Sequence, residues 1–446
     1  MSLLSELKPL LRLAGPVVVA ELGWMAMGMV DVIMVGPLGP AAIGAVGVGT
    51  ALHMGFAIFG MGLLLGLDTV VSQAYGRRDV DECHRWLVQG TWLAVVSVLP
   101  LIAICLTVVQ LMPRIGFHPD VMPLARDYLS IVIWSTLPLL LYAAFRRYLQ
   151  GMHVVKPLVI ALVTANVVNV IGNWVFVYGN LGVPAMGVAG AAWTTFVSRI
   201  YMMLVLLAAI VVYDRRRKSG LSVMSWRPDT ARLRRLVGLG LPAASQVTLE
   251  VGAFAAATVL AGRLDPVSTA SHQIALNIAA TAFMIPLGLS SAGAVRVGTR
   301  VGERDPAGAR HAGWTALAVG VGVTAVTGLL FLVMPRPLIG LFSRDAAVLA
   351  LGASLLFVAA VFQLFDGLQA VATGVLRGLG DTRVPMIANL VGHWCIGLPL
   401  GYTLCVPVGL GVIGLWWGLS SGLIVCGVVL LWAWHRRVAR FEHAGK

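Results

Sequence analysis

Apolar residues in this chain come in runs of twenty or more, broken by short stretches of Gly, Pro and charge. Cutting at the breaks predicts twelve helices. The first six run roughly Pro9–Gly36, Gly44–Tyr75, Trp86–Met112, Leu124–Leu149, Pro157–Tyr178 and Gly187–Tyr213. The last six run roughly Leu236–Gly262, Ala270–Val301, Ala312–Met334, Ala346–Leu376, Pro385–Cys405 and Gly411–Trp434. Each reaches the ~20 residues that a membrane-spanning helix needs, and the longer ones allow tilt or kinks. Inside these runs the few polar residues recur at steps of three and four, the period of one helical face.

The pattern is written twice. Pro16, Gly36, Leu38, Pro40, Gly76, Arg78 and Asp79 recur 226 positions later as Pro242, Gly262, Leu264, Pro266, Gly302, Arg304 and Asp305. Further on the match loosens: Gly187-Val188-Ala189-Gly190 echoes Gly411-Val412-Ile413-Gly414 at a spacing of 224. Six helices per copy is an even number, so both copies share one orientation, a parallel repeat. The sequence therefore divides into an N-terminal six-helix lobe (1–213), a polar linker (214–232) and a C-terminal six-helix lobe (233–446), pseudo-symmetric and all-α.

Composition agrees. Hydrophobic residues make up 59% of the 446 and charged residues 11%, where a soluble domain has about a quarter charged. The net charge of +13 is not that of a nucleic-acid binder, because no basic domain interleaved with aromatics exists. It is sorted by side instead. Arg114, Arg126, Arg263, Arg336 and Arg344 fall on one side and Arg199 within a span; the other 26 of the 32 Lys and Arg, Lys446 among them, fall on the opposite side. The positive-inside rule places both termini in the cytoplasm and the chain in the plasma (inner) membrane. The first apolar run lacks a cleavage site after a short core, so it reads as a spanning helix. The five cysteines imply neither a disulfide framework nor a zinc site.

An acid inside hydrocarbon is a functional candidate by default. Asp366 lies on the tenth helix with Gln363, Gln369 and Thr373 at helical steps. Glu250 on the seventh has Gln246 four residues before it. Gln273, Asn277 and Thr281 repeat on the eighth. Three polar stripes in one lobe predict a lined cavity, and two carboxylates among amides and hydroxyls suit a proton or a hard cation such as Na⁺. In the first lobe Asp31 is the third coupling candidate, with Asn166, Asn169 and Asn173 on the fifth helix and Thr194 and Ser198 on the sixth. Arg199 reads as a cavity-facing counter-ion for Asp31 or as a side chain that snorkels, with the cavity preferred. Glu21 has no evident partner; Asp68 is expected to bond locally or to a basic loop residue. His53, His272 and His393 read as hydrogen-bonded packing residues. No Walker loop, paired-Asp metal motif, His-Glu-x-x-His or Ser/His/Asp pattern occurs, so neither an enzyme nor a cofactor is expected.

Five stretches stand in order along the chain: Gly28-Met-Val-Asp-Val-Ile-Met-Val-Gly36, Gln73-Ala-Tyr-Gly76, Ala270-Ser-His-Gln-Ile-Ala-Leu-Asn277, Pro286-Leu-Gly-Leu-Ser-Ser291 and Leu376-Arg-Gly-Leu-Gly-Asp381. In these the chain resembles the MATE (multidrug and toxic compound extrusion) family, in its NorM-like branch. The resemblance covers nearly the whole chain. It implies two six-helix lobes in a V, with drug exported as a cation or proton enters. It matches Glu250 and Asp366 to the family's acidic pair, and Asp31, Asn169, Asn173 and Thr194 to its first-lobe polar cluster. It matches Pro16 to a proline at which the first helix is thought to bend. Arg199 and Glu21 match no family pattern.

The expected function is therefore Na⁺- or H⁺-coupled export of amphipathic, often cationic compounds by a monomer in contact with membrane lipid. Two alternatives stay open: a flippase of lipid-linked precursors in the same superfamily, which would need a basic cavity, and a non-transport receptor or scaffold, whose polar stripes would pair off completely. At the spacing of 226 the chemistry is not duplicated: Asp31 corresponds to Ala257 and Glu250 to Trp24.

Overall fold

A computed structural model describes residues 3–115, 118–221 and 224–444. The counted cation Lys446 lies outside them. The described residues form twelve helices long and apolar enough to cross a membrane. They are α1 (Glu6–Leu38), α2 (Pro40–Gly76), α3 (Val80–Arg114), α4 (Met122–Gly151), α5 (Lys156–Phe176) and α6 (Val188–Arg217), then α7 (Thr230–Ala261), α8 (Pro266–Gly302), α9 (Pro306–Val333), α10 (Ala346–Leu379), α11 (Arg383–Cys405) and α12 (Gly411–His443). Exposed apolar side chains such as Val96 and Leu99 on α3, or Val326 and Leu329 on α9, form faces that lipid must cover.

Local chemistry sets the ends. Pro opens α2, α8 and α9 at a position whose N–H has no helical partner. The repeat is visible in the backbone. Arg78 and Arg304 both take the left-handed conformation, with φ of 61° and 57°. Asp79 and Asp305 then cap the next helix in the same way, accepting from the backbone N–H of Glu82 at 2.9 Å and of Gly308 at 2.8 Å. Gly187 and Gly411, the looser pair, match as well, with φ of 56° and 58°.

Two compact units result. One comprises Val19–Ala244; the other comprises Met1–Val18 together with Ser245–Lys446. The division predicted at the linker 214–232 follows the covalent halves, whereas these units exchange a half-helix each. The cuts after Val18 and Ala244 are themselves 226 residues apart, two residues beyond Pro16 and Pro242. Both prolines lie inside continuous helices. Lacking an N–H, each leaves the carbonyl four residues back, Arg12 or Gly238, without its helical bond.

Within the second unit α8 and α10 share the most extensive contact. A Cβ on Gly374 of α10 would run into the Ser290 carbonyl of α8, and the Ser290 hydroxyl donates to the Ala370 carbonyl at 2.6 Å. Small residues and an interhelical hydrogen bond are the means by which helices associate in lipid. The start of α1 joins this unit through Glu6, 1% exposed, whose carboxylate takes hydrogen bonds from Arg296 and Arg300 near the end of α8.

Candidate functional site

In the unit Val19–Ala244, Asp31 is 5% exposed and filled. Its Oδ1 accepts from the amides of Asn169 at 2.9 Å and Asn173 at 2.8 Å, and its Oδ2 from the Thr195 hydroxyl at 3.0 Å. Asn173 also donates to the Asn169 side-chain oxygen at 3.3 Å. The α5 stripe therefore converges on Asp31 as its spacing predicts, although Asn166 turns away to the Gly23 carbonyl. The hydroxyl from α6 is Thr195, not Thr194, which bonds back to the Gly190 carbonyl at 2.9 Å.

Arg199 does not pair with Asp31. Its guanidinium donates to the Ser135 hydroxyl at 2.5 Å and lies 3.4 Å from His53 Nδ1, with no carboxylate in ion-pair range among the described residues. His53 reaches Thr136 at 3.0 Å through its other nitrogen. Glu21, without an evident partner in the sequence, forms a buried ion pair with Arg146 of α4. The neighbouring Arg147 reaches the fully buried Asp68 at 3.3 Å, as expected of a basic partner. Both arginines sit on α4 and serve buried acids.

The other unit holds Glu250, 9% exposed, and Asp366, 4% exposed. Glu250 accepts from Gln246 at 2.7 Å on its own helix and from Gln369 of α10 at 2.9 Å. Asp366 lies within Coulombic reach of Glu250. Its Oδ1 has no hydrogen-bond partner, and neither do both side-chain polar atoms of Gln363, the Gln369 oxygen or the Thr373 hydroxyl. Buried polar groups are normally satisfied, so each such atom calls for a water, proton or ion. This is the donor chemistry of a hard-cation or proton site: one free carboxylate oxygen, amide oxygens and a hydroxyl, all from α10. No group of three or more His, Cys, Asp or Glu gathers anywhere among the described residues.

Helix α11 supplies three residues that the sequence did not single out for this region. Its middle, Leu390–Gly397, winds as a π-helix, a form found often at functional sites. The Trp394 indole donates to the Leu249 carbonyl at 2.9 Å, fixing α11 beside Glu250. Asn389 has an unpartnered side-chain oxygen, and the fully buried His393 has neither ring nitrogen bonded. His393 therefore packs, its ring 6.0 Å from that of Phe254, but without the expected hydrogen bonds, while His272 has them, accepting from Trp416 at 3.0 Å and contacting Thr258 at 3.0 Å. The third predicted stripe does not join the cluster: Gln273, Asn277 and Thr281 are exposed. Of the three stripes, those of α7 and α10 converge.

The comparisons with known proteins agree with this architecture. A family model described as MatE matches residues 16–175 and again 242–403, the two copies of the repeat. The "Probable multidrug resistance protein NorM" of Mesorhizobium japonicum is 39% identical over 439 residues, covering 97% of this chain and 94% of the relative. The protein of the same name from Brucella suis is 36% identical over 443 residues, covering 97% and 94%. Among solved structures, the eukaryotic MATE transporter AtDTX14 superposes with a TM-score of 0.88 at 22% identity, covering 100% of both chains. A MOP superfamily transporter from Pyrococcus furiosus, described as having a binding pocket of reverse polarity, superposes with a TM-score of 0.87 at 19% identity, covering 98% of this chain and 97% of its own. These structures carry the fold; the relatives and the family model carry the assignment. The chain belongs to the MatE family, in its NorM-like branch, and is a multi-pass membrane protein.

Proposed function

We propose that this chain is a multidrug efflux transporter that exchanges amphipathic, often cationic cargo for Na⁺ or H⁺ bound at Glu250 and Asp366. The supporting observation is the pair of buried carboxylates, one with an oxygen lacking any partner, beside unpartnered amide and hydroxyl groups on α10. The same reading takes the membrane to be the inner membrane, both termini to be cytoplasmic and the working unit to be a monomer.

The ion shifts the conformational equilibrium only by its differential affinity for the two states; moving it from 1:99 to 99:1 takes about 10⁴-fold. Cargo and ion then weaken each other by the same factor. In this reading Pro16, two residues before α1 passes from one unit to the other, is where the helix bends. A flippase for pyrophosphate-linked lipids would need free cations at mid-span. Among the described residues the buried mid-span acids Asp31, Glu250 and Asp366 outnumber the one mid-span cation, Arg199, which favours cationic cargo. The test is drug efflux from proteoliposomes driven by a Na⁺ or a pH jump. Glu250→Gln and Asp366→Asn should each abolish ion-driven efflux; wild-type rates in both would remove the assignment.

A further inference from the structure

We propose that the cavity between the linker and α3 is a binding site for the phosphate of an anionic phospholipid. The cavity has a volume of about 420 Å³, within the ~300–1,000 Å³ usual for small-molecule sites. Three arginines from three places line it: Arg85 of α3, Arg227 of the linker and Arg232 in the first turn of α7. All belong to the unit Val19–Ala244.

Arg227 is uncommitted, and Arg85 is committed only loosely. Arg227 is exposed and makes no ion pair among the described residues. Arg85 is 51% exposed and approaches Glu82 only to 3.6 Å. Arg232 is committed, to Glu82 at 3.0 Å and to Asp229. Asp229, the one acid in the wall, is also committed. The backbone N–H of Arg232, then its side chain and the N–H of Ala231, hold that carboxyl below the usual range. Three arginines against the two carboxylates of Glu82 and Asp229 leave a net charge of +1, which matches the single negative charge of a phosphodiester, and guanidinium forks match phosphate oxygens in pairs.

The cavity is built, not incidental. Gln89, 3% exposed, fastens the linker to α3 from both sides. It donates to the Arg227 carbonyl at 3.2 Å and accepts from the Asp229 N–H at 2.8 Å. One turn on, the Trp92 indole donates to the Trp226 carbonyl at 2.8 Å. Both tryptophans are exposed, and exposed Trp concentrates at the headgroup level of a membrane. Arg85, Gln89, Trp92, Val96 and Leu99 follow one another at helical steps on one face of α3. Trp92, Val96 and Leu99 are exposed. That face offers a cation to a phosphate and then an apolar track to acyl chains, which selects a lipid over a free phosphate.

The other unit has no counterpart. Arg85 and Gln89 correspond to His311 and Thr315, and Arg232 corresponds to Glu6. Glu6 is already saturated by Arg296 and Arg300. Among the described residues the site is not repeated at the spacing of 226, and it is independent of the ion-coupling reading.

The experiment titrates purified protein with phosphatidylglycerol, phosphatidylcholine or inorganic phosphate. It reads retained lipid by native mass spectrometry and stabilisation by thermal shift. Wild type should retain one phosphatidylglycerol in preference to phosphatidylcholine. The double variant Arg85→Ala/Arg227→Ala should lose that preference by about tenfold or more. Arg215→Ala/Arg216→Ala removes the same charge from the exposed end of α6 and should keep it. Arg85→Lys/Arg227→Lys keeps the charge without the forks; it should bind more weakly than wild type, and it serves if the alanine variant does not fold. Equal loss in the 85/227 and 215/216 alanine variants, no lipid preference in wild type, or inorganic phosphate stabilising as well as the lipid would each overturn the proposal.

Discussion

Asp31 in one unit and Asp366 in the other are about equally buried, at 5% and 4% exposed, yet they live in opposite surroundings. Asp31 accepts three hydrogen bonds from neutral donors on α5 and α6. Asp366 keeps an oxygen with no partner, among amides and a hydroxyl in the same condition. Glu21 and Glu250 differ in the same sense: the first is closed by Arg146, the second is held only by two glutamines. One unit closes Asp31 and Glu21 with partners of its own. The other holds Glu250 with neutral amides and leaves polar atoms around Asp366 without partners. In the proposed function it is this difference, and not burial alone, that sets Asp366 apart from Asp31.

The largest effect that could break this contrast is on transport. Asp366→Asn should abolish ion-driven efflux and leave the melting temperature close to wild type, since the replaced oxygen served no partner. Asp31→Asn keeps a side-chain oxygen for Asn169 and Asn173, and its new N–H can point at Thr195, whose hydroxyl already has the Ala191 carbonyl as a second acceptor. It should fold and transport nearly as wild type. Loss of ion-driven efflux in Asp31→Asn equal to that in Asp366→Asn would place Asp31 with the coupling pair and dissolve the contrast.

Next comes stability. Arg146→Ala strands the Glu21 carboxylate in the interior, and removing one partner of a buried pair costs about 3–5 kcal/mol. Thermal unfolding in detergent should show a large drop, reversed in part by adding Glu21→Gln. Asp31→Ala should cost less, roughly 1–3 kcal/mol, because it leaves amide donors unpaired and no charge. If Arg146→Ala were no worse than Asp31→Ala, the view that Glu21 is closed mainly by that one cation would fail.

Much of this was legible in the sequence, for physical reasons that also explain what was not. Helix number follows from apolar run length, and the repeat from punctuation residues. Arg78 and Arg304 recur at the left-handed position of the turn that follows a helix. The acids stood out because charge is rare in spans. Partners did not: Glu21 and Arg146 are 125 residues apart, and no local pattern links them. Thr194 and Thr195 are neighbours about 100° apart on a helix, so the rotation of α6 alone decides which meets Asp31. The exposure of the Gln273–Asn277 stripe also depends on how α8 is rotated. The exchange of half-helices is a property of packing that chain order hides. The π-helical middle of α11, and with it the bare imidazole of His393, carries no proline or charge to announce it.

The smallest expected effect tests where the two units differ in local chemistry alone. Asp265 and Gly39 are repeat mates, and each precedes the proline that opens a helix. Asp265 has extended backbone, and its carboxylate accepts from the Ser268 hydroxyl at 2.6 Å and backbone N–H at 2.8 Å. Gly39 has a φ of 106°, which favours glycine, and it caps nothing with a side chain. The Ser268 bonds hold the Asp265 carboxyl below the ordinary value of 3.8. A carboxyl depressed in the folded state stabilises fully above its unfolded pKa and loses that contribution as pH falls through the lower folded value. Asp265→Asn should therefore lower the melting temperature slightly at neutral pH. The gap from wild type should begin to narrow below about pH 4, the unfolded value, and close only as the pH falls through the lower folded value, beneath which both side chains are uncharged. Gly39→Ala should lower it at every pH alike, since its penalty is backbone strain and not a titrating charge. A gap for Asp265→Asn that stayed constant from neutral to acid would show the cap to be a matter of shape there too, and the two mates would then be alike.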